Sequence, residues 1–447
     1  MRSALEEVDD LVVAAVLIGG TEKLRADVDG YGVPLVPKLE EAVAQHRPDV
    51  VLDLSDEPVL GPAERLALAS RVLALGIPYE GPDFRFTPPP MEPVDVPTLA
   101  VVGTGKRVGK TAVTGHVARS LALSREVVVV AMGRGGPPEP ETVRVRPTVD
   151  SLLELSRLGR HAASDHLETA VVAGVVTVGC RRCGGGLAGA VAVSNVLEGV
   201  AVARSLSPDL VVLDGSGAAM PPVAAGRRLL VTSAAQPVDV AAGYLNAYRA
   251  RISDLVLVTM AEPDAPHAAL ADAMSAHVRP GIPVLRAVLR PRPLEPVADE
   301  RIAFFCTAPP AAHAPLARHL EETHGARVTQ VSGSLADRAR LRDDLAQTDA
   351  DVFVVELKAA AVDVVAEEAR RRGVRVVLAA NDVLPIAGER SLTGPPAVRA
   401  RSPPPQAARA PRRASARPQS GGRRSPRAPP ARRAAAPPRR RRPPPRP

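Results

Sequence analysis

The sequence predicts an α/β protein in which a central domain with a parallel sheet is flanked by N- and C-terminal Rossmann-like α/β units and followed by a disordered C-terminal tail. Two observations predict this fold. Strand-sized aliphatic runs alternate with helix-like segments along most of the 447 residues, as in parallel sheets that helices cover on both faces. The proline-rich segment Phe86–Pro97 interrupts this alternation, which restarts after Pro293. We therefore place four regions at 1–96, 97–295, 296–392 and 393–447.

The N-terminal unit begins with the aliphatic run Leu11–Ile18, and a second run follows at Asp49–Leu54. Both are short and apolar, so we predict buried parallel strands. Helix-like segments lie between and after these runs, at Leu39–Gln45 and Pro62–Leu75. This order predicts a small α/β unit.

The central and C-terminal units repeat the same order of strands and helices. In the central unit we predict strands at Leu99–Val102, Val127–Met132, Leu210–Leu213, Arg228–Val231 and Leu255–Val258. In the C-terminal unit we predict strands at Arg301–Cys306, Ala326–Val331, Asp351–Glu356 and Val374–Ala379, with helices that end at His324, Gln347 and Arg372. Open parallel sheets bind ligands beyond the carboxyl ends of their strands. Function is therefore expected in the loops that follow these runs.

The formal net charge of +8 suggests a nucleic-acid binder, but the tail accounts for it. Residues 401–447 hold 15 of the 57 Lys and Arg residues and no acidic residue, which leaves 42 basic against 49 acidic residues in the rest. That remainder is slightly acidic, as is typical of an enzyme surface. The tail consists almost entirely of Arg, Pro, Ala and Ser. Such a composition cannot bury enough apolar surface to fold, so we predict disorder.

Neither a membrane span nor a signal peptide is expected from the sequence. No aliphatic run is long enough to span a membrane. The acidic N-terminus lacks a signal-peptide pattern, and three cysteines without a disulfide framework fit a reducing compartment. We expect a cytoplasmic protein without a membrane partner.

The most informative motif is Gly-Thr-Gly-Lys-Arg-Val-Gly-Lys-Thr at Gly103–Thr111. It follows an apolar run and opens a helix-like segment, Ala112–Leu123, which is the context of a phosphate-binding loop. Glycines let several backbone N–H groups converge on one anion, and a lysine at the helix start adds a full positive charge. A glycine turn without a ligand is the alternative. We predict a P-loop that binds ATP through Gly103, Thr104, Gly105, Lys106, Arg107, Val108, Gly109, Lys110, Thr111 and Ala112.

The strict P-loop pattern is missed by one place, because Thr104 stands where the first glycine is expected. The spacing instead resembles the loop of dethiobiotin synthetase and its relatives. That resemblance implies an enzyme that phosphorylates a small anionic metabolite.

An acidic residue, Asp214, ends the run Leu210–Leu213 and precedes a glycine-containing loop. An acid at the end of the strand beside a phosphate loop is the usual second protein contact of Mg²⁺. We predict that Thr111 and Asp214 hold Mg²⁺. Glu139, in the loop after Val127–Met132, is a further candidate carboxylate.

Two more loops carry arginines. The loop after Val127–Met132 offers a cation for phosphate, although a plain Gly-Pro turn is the alternative. The segment Thr177–Gly189 combines two arginines with several glycines and reads as a loop that binds an anion. The candidate anion ligands in these loops are Arg134, Gly135, Gly136, Arg181 and Arg182.

Cys180 and Cys183 in the second of these loops look like half of a zinc site. A structural zinc ion needs four ligands, and the remaining cysteine, Cys306, lies in an apolar run. We therefore favour the anion site over a zinc site.

These strings together resemble one family closely, the cyclic 2,3-diphosphoglycerate synthetases. The resemblance covers nearly all of residues 11–380. It rests on Ile18–Leu24, Asp53–Val59, Gly103–Thr111, Ala131–Glu141, Asp214–Ala219 and Val355–Ala361. The resemblance implies ATP-dependent closure of a cyclic anhydride between the two phosphates of 2,3-diphosphoglycerate, with release of ADP and phosphate.

Chemistry of this kind brings several phosphates together, and cations must offset their repulsion. The residues expected to act in catalysis are Lys110, Lys106, Arg134 and Asp214. Those expected to contact the substrate are Arg134, Gly135, Gly136, Arg181, Arg182 and Lys358. Lys106 and Arg107 could instead be solvated loop charges.

Three further features remain open in the sequence. His166 could act as an acid or base, although we expect a surface histidine. Glu356 and Lys358 follow a predicted strand and suit an anion or a domain contact, or form a plain charged pair. Gly19–Lys23 occupies the same position in its unit and could close over a substrate.

Two other functions are compatible with the motifs. A 2-phosphoglycerate kinase would differ only in substrate. A partitioning ATPase would carry a lysine five residues before Lys110, where this chain has Gly105. The expected partner is a small phosphorylated substrate. Non-specific polyanion binding by the tail and homodimer formation are left open.

Overall fold

In the computed structural model, the described residues are 11–17, 32–57, 59–159, 164–357 and 362–392. Their helices are α1 (Leu39–His46), α2 (Pro62–Ala74), α3 (Lys110–Leu121), α4 (Val149–Arg157), α5 (Asp165–Ala173), α6 (Val196–Arg204), α7 (Val238–Ala242), α8 (Asn246–Arg251), α9 (His267–Ser275), α10 (His313–His324), α11 (Arg338–Gln347) and α12 (Val362–Arg372). Short 3₁₀ turns lie at Pro310–Ala312 and Ser334–Ala336.

The strands are β1 (Val51–Leu52), β2 (Tyr79–Gly81), β3 (Phe84–Phe86), β4 (Thr98–Gly103), β5 (Val127–Gly133), β6 (Glu141–Val143), β7 (Thr177–Cys183), β8 (Val193–Ser194), β9 (Leu210–Asp214), β10 (Arg227–Ser233), β11 (Leu255–Thr259), β12 (Val284–Pro293), β13 (Arg301–Phe305), β14 (Arg327–Ser332), β15 (Val352–Glu356) and β16 (Arg375–Pro385). The tail at 393–447 and the segment Gly19–Lys23 lie outside the described residues. Within the described residues, no helix is both long and apolar enough to cross a membrane.

One large sheet organises the fold. Its strand order is β14-β13-β15-β16-β12-β11-β10-β4-β9-β5-β7-β6, and β8 pairs with the end of β7. The strands from β12 to β7 are all parallel to one another. The side chains of successive residues of β4 lie on opposite faces of the sheet, since Val101 belongs to one buried apolar cluster and Val102 to another. The sheet is therefore buried on both faces, and the predicted α/β class is confirmed.

Strand β12 joins two parallel halves into this single sheet. Its first residues, 284–286, pair with β11 in parallel, and residues 287–293 pair with β16 in antiparallel register. The C-terminal half, β14-β13-β15-β16, is again parallel throughout. Strand β12 was not predicted from the sequence, and the strand predicted at Val374–Ala379 continues six residues further, as β16, to Pro385.

The N-terminal unit differs from its prediction. The run Leu11–Ile18 is not a strand in its described part, residues 11–17, where only an isolated bridge joins Ala15 to Leu35. Leu11 is 88% exposed, so the apolar run does not find a buried face. The strand predicted at Asp49–Leu54 is reduced to the two residues of β1. This strand pairs with β2 in a three-stranded sheet of β1, β2 and β3.

A buried polar contact fixes this small sheet. The Tyr79 hydroxyl donates to Asp53 Oδ2 over 2.6 Å, and Tyr79 is fully buried. Asp53 also accepts from the Ser55 backbone N–H over 2.8 Å and lies 3.5 Å from the Arg65 guanidinium. The Asp53–Val59 string therefore begins with a residue that has a structural role. Burial of a polar group is stabilising only when such partners are present.

Helix α3, which follows the P-loop, is bonded to the end of β16. Asp382 Oδ1 accepts from the Arg119 guanidinium over 2.9 Å and lies 3.4 Å from His116 Nδ1. Arg119 also donates to the Asn381 carbonyl oxygen over 3.1 Å. Although burial works in the other direction, the bond to His116 and the charge of Arg119 hold the pKa of Asp382 below its usual range. This ion pair links the P-loop helix to the C-terminal half of the sheet.

Asp382→Asn is expected to lower the free energy of unfolding by about 1–2 kcal/mol at neutral pH, since a charge-assisted hydrogen bond is lost. A depressed folded-state pKa stabilises the protein above the unfolded-state pKa of about 4, and this contribution disappears as the pH falls through the folded-state pKa. Urea unfolding of both proteins over this pH range should show the difference shrinking towards acid. A difference that stays constant with pH would contradict the ionic origin.

Candidate active site

The predicted phosphate loop lies between β4 and α3, at the carboxyl edge of the sheet. The Thr104 backbone N–H donates to the Val231 carbonyl oxygen over 3.0 Å, and the Thr104 hydroxyl donates to Gln236 Oε1 over 2.7 Å. Gly109 caps the N-terminus of α3 with φ 78°, a conformation that favours glycine. The loop is thus held by neighbouring strands, and α3 begins directly at Lys110.

Gly103 is required by a close approach of two loops. A Cβ atom at this position would lie 2.9 Å from the Gly217 carbonyl oxygen, which is closer than packing allows. Gly217 belongs to the loop after β9, at residues 215–220, which we call the β9 loop. The Gly215 backbone N–H also donates to the Val101 carbonyl oxygen over 3.0 Å. The phosphate loop and the β9 loop therefore lie directly against each other.

Lys110 and Asp214 form the centre of the site. Strands β4 and β9 are neighbours, with Val101 opposite Asp214, so the loops that follow them converge. The Lys110 ammonium donates to Asp214 Oδ1, which also accepts from the Thr114 hydroxyl over 2.9 Å. Asp214 Oδ2 accepts from the Thr169 hydroxyl over 3.3 Å. Asp214 is only 2% exposed, so this carboxylate is fixed in place before any ligand binds.

Asp165 is a second carboxylate at this centre, and the sequence analysis missed it. It is the first residue of α5, and a Cβ atom at Gly133 would lie 2.8 Å from its Oδ2. Burial raises the pKa of Asp165, and while the charge of Lys110 acts against this, the charge of Asp214 adds to it. An aspartate in the first turn of a helix is common for reasons of helix electrostatics, so the sequence carried no distinctive signal.

The two predicted metal ligands beside Asp214 have different surroundings. Thr111 is the second residue of α3 and is half-buried beside Lys110. Glu139 is exposed, and among the described residues no hydrogen bond or ion pair joins it to Asp214 or Thr111. The described part of the chain contains no cluster of three or more His, Cys, Asp or Glu side chains that could hold a metal. Oxygen donors from Asp214, Thr111 and Asp165 nevertheless suit Mg²⁺, which takes few protein ligands beside phosphate oxygens and water.

Arg182 contributes positive charge to the same space. Its guanidinium donates to the Ser216 carbonyl oxygen over 3.1 Å and to the Gly184 carbonyl oxygen over 2.7 Å. Burial lowers the pKa of Arg182, the nearby charge of Arg134 lowers it further, and Asp165 acts in the opposite direction. The charges of Arg134 and Asp165 therefore both act on Arg182, in opposite directions.

The other predicted phosphate ligands lie at the surface. Lys106 and Arg107 are exposed residues of the phosphate loop, and the Lys106 side chain passes close to Gly217. Arg181 is exposed, and its backbone N–H donates to Asn195 Oδ1 over 2.7 Å. Gly136 lies tightly against the Cys180 carbonyl group, whereas a side chain at Gly135 would meet open space. Their roles as ligands stay predictions.

The segment Thr177–Gly189 is a loop only in its second half. Its first seven residues form β7, which pairs with β5 in parallel, and Cys180 of this strand is buried. That burial raises the pKa of the Cys180 thiol to about 12, whereas Cys183 is exposed. The strand therefore points the two cysteines into different environments.

His166 is not at the surface, contrary to the sequence-based expectation. Only 5% of it is exposed, because its ring packs against Gly179 of β7. A Cβ atom at Gly179 would lie 2.5 Å from the ring. The glycine therefore makes room for the histidine inside the α5–β7 contact.

Two predictions fall at the end of β15. Glu356 is 9% exposed and accepts from Asn381 Nδ2 over 2.9 Å, so it bonds to the neighbouring strand β16. Lys358 lies outside the described residues. Its predicted contact with a substrate stays a prediction.

Family models match most of the chain. The model described as "Cyclic 2,3-diphosphoglycerate synthetase, P-loop domain" matches residues 98–285. The models of the C-terminal and N-terminal domains of the same synthetase match residues 293–382 and 1–87.

Curated relatives agree with these matches. A protein of Rubrobacter xylanophilus named cyclic 2,3-diphosphoglycerate synthetase is 49% identical over 399 residues, which cover 86% of this chain and 90% of that protein. Proteins of the same name from Thermococcus kodakarensis and Methanothermus fervidus are 41% and 38% identical, cover 85% of this chain each, and are themselves covered to 90% and 89%. A crystal structure of LpxK from Aquifex aeolicus in complex with ATP is 14% identical, with a TM-score of 0.40 over 67% of this chain and 87% of that one.

Proposed function

The chain belongs to the cyclic 2,3-diphosphoglycerate synthetase family, and from this membership we propose that it is an ATP- and Mg²⁺-dependent ligase that forms cyclic 2,3-diphosphoglycerate. The observation that carries the proposal is the buried pair of Lys110 and Asp214 at the converging ends of β4 and β9. A phosphate loop with this pair binds a nucleoside triphosphate and a divalent cation in phosphoryl-transfer enzymes.

The proposed reaction has two steps. A phosphate oxygen of 2,3-diphosphoglycerate attacks the γ-phosphorus of ATP, which breaks the β–γ bond and releases ADP. The second substrate phosphate then attacks the phosphorus that now carries the transferred group, and the transferred group leaves as inorganic phosphate. The product is a cyclic phosphoanhydride, and every phosphate is accounted for. Both steps gather negative charge, which preorganised cations stabilise in a water-poor site.

This chain's residues suit distinct parts of the reaction. Lys110 and the backbone N–H groups of the phosphate loop would hold the β- and γ-phosphates. Thr111 and Asp214 would hold Mg²⁺, which offsets phosphate charge when bound, and Asp165 faces the same space. The cations assigned to the substrate phosphates are Lys106, Arg134, Arg181, Arg182 and Lys358. Of these, Arg182 has the firmest support, since hydrogen bonds to two carbonyl oxygens fix its guanidinium beside Ser216 of the β9 loop.

A ³¹P NMR assay tests the proposal. Purified protein is incubated with MgATP and either 2,3-diphosphoglycerate or 2-phosphoglycerate. A cyclic anhydride signal with the first substrate, together with stoichiometric ADP and phosphate, is the expected result. Phosphorylation of 2-phosphoglycerate without ring closure would replace the proposal with a kinase. ATP turnover that ignores both acids would remove the metabolite-ligase assignment altogether.

Asp165→Asn is expected to lower kcat roughly 10–100-fold, a loss of the size seen when carboxylates around a metal site are changed. The Asn side chain keeps the shape but removes the charge that Lys110 and Arg182 face. Anion binding should not weaken, so KM for the phosphorylated acid is expected to stay equal or to fall. Steady-state kinetics measure kcat and KM. Isothermal titration calorimetry of the protein with Mg²⁺ in the presence of ADP measures binding of the metal.

The matched control is Asp150→Asn, which removes an exposed aspartate from the first turn of another helix, α4. It changes the helix electrostatics equally but lies on another helix. Asp165→Asn kinetics that match this control would leave Asp165 without a role in the reaction.

A further inference from the structure

A buried arginine behind the site has no assigned role. Arg249 lies on α8 and is only 2% exposed. Within the described residues no carboxylate forms a salt bridge with Arg249. Burial lowers the pKa of Arg249 to about 10, which reflects a charge removed from water without a counter-ion. A buried charge of this kind is costly, so its hydrogen-bond partners must compensate.

Three of the five hydrogen bonds that Arg249 donates go to carbonyl oxygens of two loops near the site, and a fourth goes to the Leu245 carbonyl oxygen. Arg249 donates twice to the Ala218 carbonyl oxygen, over 3.0 and 2.8 Å, and once to the Leu187 carbonyl oxygen over 3.0 Å. Ala218 lies in the β9 loop, and this loop begins directly after Asp214. Leu187 lies in residues 184–190, which we call the β7 loop. One planar guanidinium therefore ties the two loops together, a geometry that a lysine ammonium does not reproduce.

The same network reaches the phosphate loop. Arg249 also donates to Asn246 Oδ1 over 3.1 Å. Asn246 Nδ2 in turn donates to the Thr104 carbonyl oxygen over 3.3 Å and to the Val240 carbonyl oxygen over 2.9 Å. Three loops that border the site are thus bonded from behind to two residues of α8.

The opposite side of these loops bears the groups that the proposed reaction uses. Arg182 donates to the Ser216 carbonyl oxygen and lies 3.2 Å from its hydroxyl. The two loops are also bonded to each other, since the Met220 backbone N–H donates to the Gly189 carbonyl oxygen over 2.9 Å. A shift of Ala218 or Leu187 would therefore move the segment that carries Ser216 and Arg182.

We propose that Arg249 is a positioning residue of the active site, which fixes the β7 and β9 loops against the phosphate loop so that Arg182 and Asp214 keep their places. This inference rests on the proposed function for its kinetic part. Because the displaced groups would face the reacting phosphates, the loss should fall mainly on kcat. A displacement of about 1 Å can cost roughly 10²-fold in rate.

The test compares Arg249→Ala with Arg251→Ala, which removes a half-buried arginine of the same helix that makes none of these loop contacts. Arg249→Ala is expected to lose about 10²-fold in kcat with little change in ADP affinity. Millimolar guanidinium should restore part of that kcat by filling the vacated space, whereas ammonium at equal ionic strength should not. Arg251→Ala should behave as the parent.

Hydrogen exchange supplies a readout that needs no substrate. Backbone amides at 184–190 and 215–220 should exchange faster in Arg249→Ala than in Arg251→Ala. If Arg249→Ala does not fold, Arg249→Lys takes its place and should show the same faster exchange with reduced kcat. Parent-like exchange and kcat in the folded variant would overturn the proposal. Failure of the parent to form the cyclic product would overturn only the proposed function, since the exchange result stands by itself.

Discussion

Lys110→Ala is expected to reduce ATP-dependent product formation by roughly 10²–10⁴-fold, because a preorganised charge on the transferring phosphoryl group is lost. The ammonium lies at the first residue of α3, where the helix dipole adds to its field. It is already bonded to Asp214, so it is in place before nucleotide arrives. Initial-rate assays with saturating MgATP measure the effect.

A stability measurement must accompany this variant, since Asp214 loses its cationic partner and stays buried. Thermal unfolding of Lys110→Ala with and without ADP separates folding from binding. Lys38→Ala is the matched control, because Lys38 is an exposed lysine at the start of α1. A folded Lys110→Ala protein that keeps turnover within about tenfold of the parent would falsify the phosphate-loop assignment.

Asp214→Asn is expected to lower kcat by at least roughly 10²-fold and to raise the Mg²⁺ concentration needed for half-maximal rate. The amide keeps the shape of the carboxylate, and its single oxygen can still accept from the hydroxyl of Thr114 or of Thr169, which bond to different oxygens of Asp214. What disappears is the negative charge that would face the cation. The same change releases Lys110 from its ion pair, so metal-free ADP should bind at least as tightly as in the parent.

The opposite responses of Mg²⁺ and ADP are the distinguishing result. A general loss of structure would weaken both. Asp209→Asn serves as control, because Asp209 precedes the same strand at its other end and accepts from the Glu126 backbone N–H over 2.8 Å. An Asp214→Asn protein that titrates with Mg²⁺ like the parent would place the ligand elsewhere, with Glu139 the next carboxylate to change.

The phosphate loop and the positions of five central strands along the chain could be predicted because their signals are local. A glycine-rich turn between an apolar run and a helix is visible in a dozen consecutive residues. The same holds for Asp214, which directly follows the apolar residues of β9. Its role as a metal ligand further assumed that β9 lies beside β4, which the register of the two strands confirms.

Features that depend on pairing between distant segments could not be predicted in this way. Strand β12 contains Pro291 and Pro293 and mixes apolar residues with arginines, a pattern that is typical of a loop. It is a strand because β11 and β16 pair with it on its two sides. The run at Leu11 has the composition of a buried strand, yet its described part forms only one bridge. Sequence alone does not say which apolar runs find a partner.

The missed residues of the site have the same cause. Asp165 reaches Lys110 only because α5 packs beside α3, and Arg249 reaches Ala218 and Leu187 from a short helix behind the sheet. His166 was expected at the surface, yet it is buried. Its burial follows from Gly179 on another element, which leaves space for the ring.

Strand β12 also has a consequence for how the protein unfolds. Residues 284–286 of β12 pair with β11 in one parallel half of the sheet, and residues 287–293 pair with β16 in the other half. If either half unfolds, the backbone N–H and C=O groups of the strand that paired with β12 in the other half lose their partners. The Arg119–Asp382 pair adds a second tie between the same halves. Thermal melting should therefore be a single cooperative transition for both, and a nucleotide that binds at Lys110 should raise the melting temperature of β13 to β16 as much as that of its own surroundings.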